Sequence, residues 1–139
     1  MGRRLIVYLI LIMAATLPKV LFSAEDSSTP ILKFFEGKCE SALNGVSVYD
    51  YKGKDGIIRA SWLNNNTLLI ECFTVNYCGG VKFSGSFELK DDSLLLKYKA
   101  RVGSEITHCI CFNTLNYELL NMPKKNYKII LKEENKSRR

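Results

Sequence analysis

The sequence is poor in the residues on which most catalytic and metal chemistry depends. It has a single histidine, His108, one tryptophan and three prolines in 139 residues. One imidazole excludes multi-histidine metal sites and leaves one candidate for histidine acid–base work. No Cys-x-x-Cys pair occurs, which excludes the usual thiol-exchange motif at a helix start. After Pro30 no stretch keeps a 3.6-residue apolar period, so a helical bundle is excluded, and no repeat or linker divides the chain. The length is that of about one domain. Apolar types at 47% and charged types at 24% form an ordinary globular balance, which excludes a wholly disordered or collagenous chain.

What is present begins with a targeting pattern. Met1-Gly2-Arg3-Arg4 precedes an apolar run from Leu5 to Leu17, whose thirteen residues are stopped by Pro18 and Lys19. That length suits a secretory signal and falls short of the ~20 residues a spanning helix needs. Cleavage is expected after Ser23 or Ala24, giving a signal peptide over 1–24, a single domain over 25–131 and a charged tail over 132–139. The alternative is an uncleaved N-terminal anchor. The chain is therefore read as exported, secreted or periplasmic, with no transmembrane span after cleavage. Removing the first 24 residues takes away Arg3, Arg4 and Lys19, so the net charge falls from +6 to +3. The tail holds another two positive charges, so the body is nearly neutral and no nucleic-acid partner is expected.

The mature chain reads as strands and turns, the pattern of an antiparallel two-layer β-sandwich, immunoglobulin-like or similar, with about eight strands. Val81–Lys90 alternates apolar and polar residues without a break, so one face packs and the other meets water. Asp91-Asp92 turns it into a return strand carrying Leu94, Leu96, Tyr98 and Ala100. Gly85 inside this pattern predicts a bulge or close packing from the opposite sheet. Val46–Tyr51 and Gly56–Trp62 are expected to form a hairpin around Lys52-Gly53-Lys54-Asp55, with Asn64-Asn65-Asn66 supplying left-handed backbone at its end. Further strands are expected at Ile31–Phe35, Thr67–Val75, Ile106–Phe112, Leu115–Leu120 and Tyr127–Leu131.

The five cysteines are the most specific feature. Export makes disulfides their default state. Cys109 and Cys111 lie two apart on a predicted strand and share a face, too far apart along extended backbone for easy bridging. Cys72 shares the inward face of its strand with Leu68 and Ile70, and Cys78 lies past that strand's end. An antiparallel arrangement gives the nested pairs Cys72–Cys111 and Cys78–Cys109, with Cys39 spare. The competing reading is a soft-metal site for copper or zinc built from Cys72, Cys78, Cys109, Cys111 and His108. Its C-x5-C and C-x-C spacings differ from the closed zinc sites, and free or redox-active thiols are the third possibility.

Cys72…Cys78-Gly79-Gly80, His108-Cys109-Ile110-Cys111-Phe112 and the run Tyr117–Ile129, which carries Pro123 and Tyr127, together resemble small exported bacterial β-sandwich proteins of uncharacterised function. Those end in a C-x-C strand and a G-L-P-x-x-x-Y hairpin. The resemblance covers Cys72–Leu131 and departs at Asn121-Met122, where Gly-Leu is usual, and in having no lipoprotein cysteine. It implies fold and compartment and carries no activity.

Other candidates are weighed against plainer readings. A Cys109/His108 nucleophile pair would need both side chains on one face, which adjacency along a strand prevents. Glu36, Glu40, Asp50 and Asp55 are conceivable paired carboxylates and equally read as solvated acids. Lys82, Lys90, Lys97, Lys99 and Arg101 share the outward hairpin face, as an anionic-partner surface or as edge-guarding charge. Tyr49, Tyr51 and Trp62 are a candidate aromatic platform or ordinary packing. Asn65-Asn66-Thr67 and Asn135-Lys136-Ser137 are glycosylation acceptors if the host glycosylates. The resulting expectation is a non-enzymatic cell-envelope binding or structural module without cofactor, its partner an envelope protein or glycan. The alternatives are a thiolate metal-binding protein and a small hydrolase.

Overall fold

The computed structural model describes residues 28–134, so the expected signal peptide and the part of the expected tail beyond Glu134 lie outside the described residues. The strands are β1 (Ile31–Glu40), β2 (Ala42–Leu43), β3 (Val46–Ser47), β4 (Gly56–Trp62), β5 (Leu68–Tyr77), β6 (Val81–Lys90), β7 (Ser93–Val102), β8 (Ile110–Leu120) and β9 (Lys128–Glu133). They form a four-stranded sheet of order β1-β8-β5-β4, a three-stranded sheet of order β6-β7-β9 and the small β2-β3 ribbon.

Alternation in the sequence explains how the two large sheets meet. Leu68, Ile70 and Cys72 of β5 and Leu115, Tyr117 and Leu119 of β8 face Leu94, Leu96 and Tyr98 of β7, and Met122 plugs the end of this core. The β6–β7 hairpin closes through Asp91, at φ 52°, with unbroken register from Val81↔Val102 to Lys90↔Ser93. Gly85 therefore sits in a regular strand rather than a bulge. A Cβ there would run into the ring of Phe34 on β1, so the glycine marks close packing from the opposite sheet. Beside it, the backbone N–H of Phe83 donates to Glu36 Oε1 at 2.7 Å. A residue on the edge of one sheet thus satisfies an open donor on the edge of the other.

Several expectations are corrected. Residues 46–51 do not pair with β4. The turn that forms is Asn44-Gly45, with φ of 51° and 79°, joining β2 to β3. Positive φ at both central positions is what a two-residue hairpin of this hand requires. The ribbon and the loop after it cover a second apolar cluster of Val48, Phe73 and Phe112, joined by Tyr51 and Ile58, on the outer face of the larger sheet. Asn64–Asn66 lie in the β4–β5 connection with negative φ, held by Asn66 N–H donating to Asn64 Oδ1 at 2.9 Å.

Ile106 falls in a loop, and Ile110–Leu120 is one continuous strand where two were expected, because it is flanked on both sides by β1 and β5 along its length. The sheets are not wholly antiparallel. β9 arrives from the far sheet and runs parallel to β7, Leu94 opposite Ile129. Pairing continues past Leu131, and Glu134 N–H donates to Tyr98 O at 2.8 Å, so residues 132–134 belong to the sheet and not to a tail. Counting long strands, the larger sheet takes the first, sixth, third and second along the chain. An immunoglobulin sheet takes the first, second, fifth and fourth.

Candidate functional site

The cysteines gather at one end of the sandwich. β5 and β8 pair so that Asn76 faces Cys111 and Tyr77 faces Ile110, which carries Cys78 onto Cys109 just beyond the strands. Cys78–Cys109 is bridged, with Cα atoms 5.5 Å apart. The expected Cys72–Cys111 bridge is absent: Cys72 stands opposite Leu115, four positions along β8 from Cys111. That is ~13 Å of extended strand, far beyond disulfide reach.

Cys111 is bridged instead to Cys39, with Cα atoms 5.5 Å apart. Cys39 was out of view from the sequence because β1 was expected to stop at Phe35. The strand continues through a bulge between Glu36 and Cys39. There Lys38 N–H donates to Thr114 Oγ1 at 2.7 Å, and Gly37 leaves room for the Thr114 side chain. The glycine directly before Lys38-Cys39 was the available signal.

Cys72 is a free thiol, fully buried in the core, its pKa pushed up to about 12 by burial and then by the charge of Glu71. It is an apolar packing residue here and not a ligand. The five-residue metal set is thereby corrected, since Cys72 lies in the core and His108 is exposed in the loop before β8. The sulfur atoms of Cys39, Cys78 and Cys111 do lie within 4.8 Å of one another, each already engaged in a bridge. Cys109, being bridged, has no thiolate to act as a nucleophile with His108.

Two of the candidate carboxylates, Glu36 and Asp55, have structural partners. Glu36 serves the β6 edge, as above. Asp55 accepts from the hydroxyl of Tyr98, which also lies 3.0 Å from Thr74 Oγ1. Burial, followed by the bond to Asp55, raises the Tyr98 pKa, so this phenol stays protonated. Burial likewise raises that of Tyr117, whose hydroxyl donates to Lys97 O at 2.7 Å across the sheets. The aromatic trio is dispersed. Tyr51 packs edge-on against Phe73 and Phe112, and Tyr49 is exposed. Trp62 lies 6.4 Å from Tyr127 at the β4–β9 seam, beside a groove of about 430 Å³ that Lys125 also lines.

The basic face resolves into two kinds of cation. Lys97 is paired with Glu88, and Lys99 with Glu134 at 2.8 Å. The bond from Lys99 is the main reason the Glu134 carboxyl titrates below its usual range. Lys82 and Arg101 stand directly opposite one another across the β6–β7 ladder, and neither makes an ion pair with a described acid. Both line a groove of about 540 Å³ at the cysteine end of the hairpin, with Gly80, Gly103, Ser104 and Glu105. Gly80, at φ 73°, accepts from Gly103 N–H at 2.7 Å, which closes the base of the ladder. His108 lines neither groove.

No family model, curated protein or solved structure that the chain was compared with matches it.

Proposed function

We propose that the protein is an exported, disulfide-stabilised, non-enzymatic binding module that holds an anionic glycan of a cell envelope. The observation that carries this reading is the Lys82–Arg101 pair. Like charges placed directly across a ladder destabilise a sheet, and no described acid forms an ion pair with either residue, Glu105 lining the same groove out of ion-pair reach. Lys99 and Lys97, one and two steps along the same face from Arg101, each have a carboxylate. A cation pair without an ion-pair partner at the mouth of a groove is suited to a carboxylate or phosphate, which the guanidinium can hold through two parallel N–H donors. Two bridges support the exported location, because such bonds persist in oxidising compartments.

The test is titration calorimetry at low salt with an acidic polysaccharide, polygalacturonate, against neutral dextran. The acidic polymer alone should bind. The double variant Lys82→Ala/Arg101→Ala should weaken it about tenfold, the sum of two exposed ionic contacts at ~0.7 kcal/mol each. Lys97→Ala should change little, and added salt should weaken binding. Equal binding of both polymers, or of wild type and double variant, would reject the reading.

A further inference from the structure

Three sulfur atoms that belong to two different bridges lie within 4.8 Å of one another. Cys39 and Cys111 are one bonded pair, and Cys78 belongs to the other. Their exposure is graded: Cys39 is open to solvent, Cys111 is 2% exposed, and Cys109 lies at the end of an exposed loop. The two bridges are stacked, and a thiolate freed from one has the sulfur of the other as its neighbour.

We infer that the two bridges form one thiol–disulfide exchange unit, through which an external thiol reacting at Cys39 releases Cys109. The external thiolate attacks Cys39 Sγ and forms a mixed disulfide. The Cys39–Cys111 bond breaks, and its electron pair leaves on Cys111 Sγ. That buried thiolate is poorly solvated, and it attacks Cys78 Sγ. The Cys78–Cys111 bond forms, the Cys78–Cys109 bond breaks, and the electron pair leaves on Cys109 Sγ, which takes a proton from water. Each step makes one S–S bond and breaks one, so no further oxidant or reductant is consumed.

Local structure favours this direction. The Thr107 hydroxyl lies 3.5 Å from Cys109 Sγ, placed to donate to the departing thiolate. Gly79 and Gly80 follow Cys78, and their freedom lets it move from Cys109 towards Cys111. Cys72, in the core, stays out of the exchange.

Disulfide mapping tests the unit in the oxidised full chain, trapped with N-ethylmaleimide. Limiting reduced glutathione should place glutathione on Cys39, a free thiol on Cys109 and a new Cys78–Cys111 bridge. Cys109→Ser leaves a thiol on Cys78 beside an intact bridge, and should give Cys39–Cys111 and Cys78–Cys111 in comparable amounts, since exchange between similar bridges has an equilibrium constant near one. By the same argument Cys39→Ser should give Cys78–Cys109 and Cys78–Cys111 in comparable amounts, with the thiol divided between Cys111 and Cys109. Glutathione that leaves the thiol on Cys111, or variants in which the original remaining bridge is wholly retained, would overturn the inference. Any bridge to Cys72 would overturn it equally, because exchange would then follow loss of the fold rather than the sulfur cluster.

Discussion

Gly85 and Cys72 are small residues whose importance lies in what surrounds them. Phe34 occupies the space where a Gly85 side chain would go, and its ring packs edge-on against Tyr117 at 5.1 Å. Gly85→Val should cost about 1–3 kcal/mol, as overpacking does, read as a lower denaturant midpoint. An unchanged midpoint would mean that Phe34 moves aside freely. The glycine was legible because it takes an inward position in an unbroken alternation, where a larger apolar side chain is usual. Cys72 was legible as inward-facing but not as unbridged, since that depended on what β8 set opposite it. Its folded pKa, about 12, lies above the ordinary 9.0. The folded state therefore holds its proton more tightly than the unfolded chain. The stability this contributes is whole below about pH 9 and is lost as pH rises through about 12. Denaturant midpoints should fall over that range less steeply in Cys72→Ala than in wild type, Tyr98 and Tyr117 supplying the remaining slope.

Elements were legible where one strand carried its own pattern. The β6–β7 hairpin could be read because alternation and turn agree, and a two-residue turn leaves only one register. The β2–β3 ribbon was missed although Asn44-Gly45 is a strong hairpin signal, because its strands are two residues long and show no alternation. That ribbon still matters, since the chain following it covers Phe73 and Phe112 on a face that would otherwise be exposed. A Cβ on Gly45 would meet nothing within 4 Å, so the effect of replacing it is confined to the backbone. Gly45→Val should cost about 1–2 kcal/mol through positive φ alone. It should also speed hydrogen exchange at the Val48 amide, which donates to Ser41 O at 2.8 Å. If exchange there is unchanged, the covering loop does not depend on the turn.

At the scale of the whole molecule, the bridges tie sequence-distant strands at one end, while the tyrosine hydroxyls and the β1–β6 seam join the sheets along their length. Cys39–Cys111 spans 72 residues and Cys78–Cys109 spans 31. Loop-closure entropy assigns each roughly 4 kcal/mol, before any strain is subtracted. The double variant Cys39→Ser/Cys111→Ser should therefore lower unfolding free energy by several kcal/mol. A silent result would show that Cys39 is spare after all.

The sequence alone determined the all-β class, the central hairpin, the inward direction of Cys72 and the outward basic face. Each follows from period-two alternation, which acts within a single strand. Tertiary structure decided which cysteine meets Cys111, which cations keep a carboxylate, and that β9 runs parallel to β7. Those outcomes depend on register and strand order between segments far apart in the chain. A shift of four residues between β5 and β8, invisible to any local pattern, is enough to exchange Cys72 for Cys39.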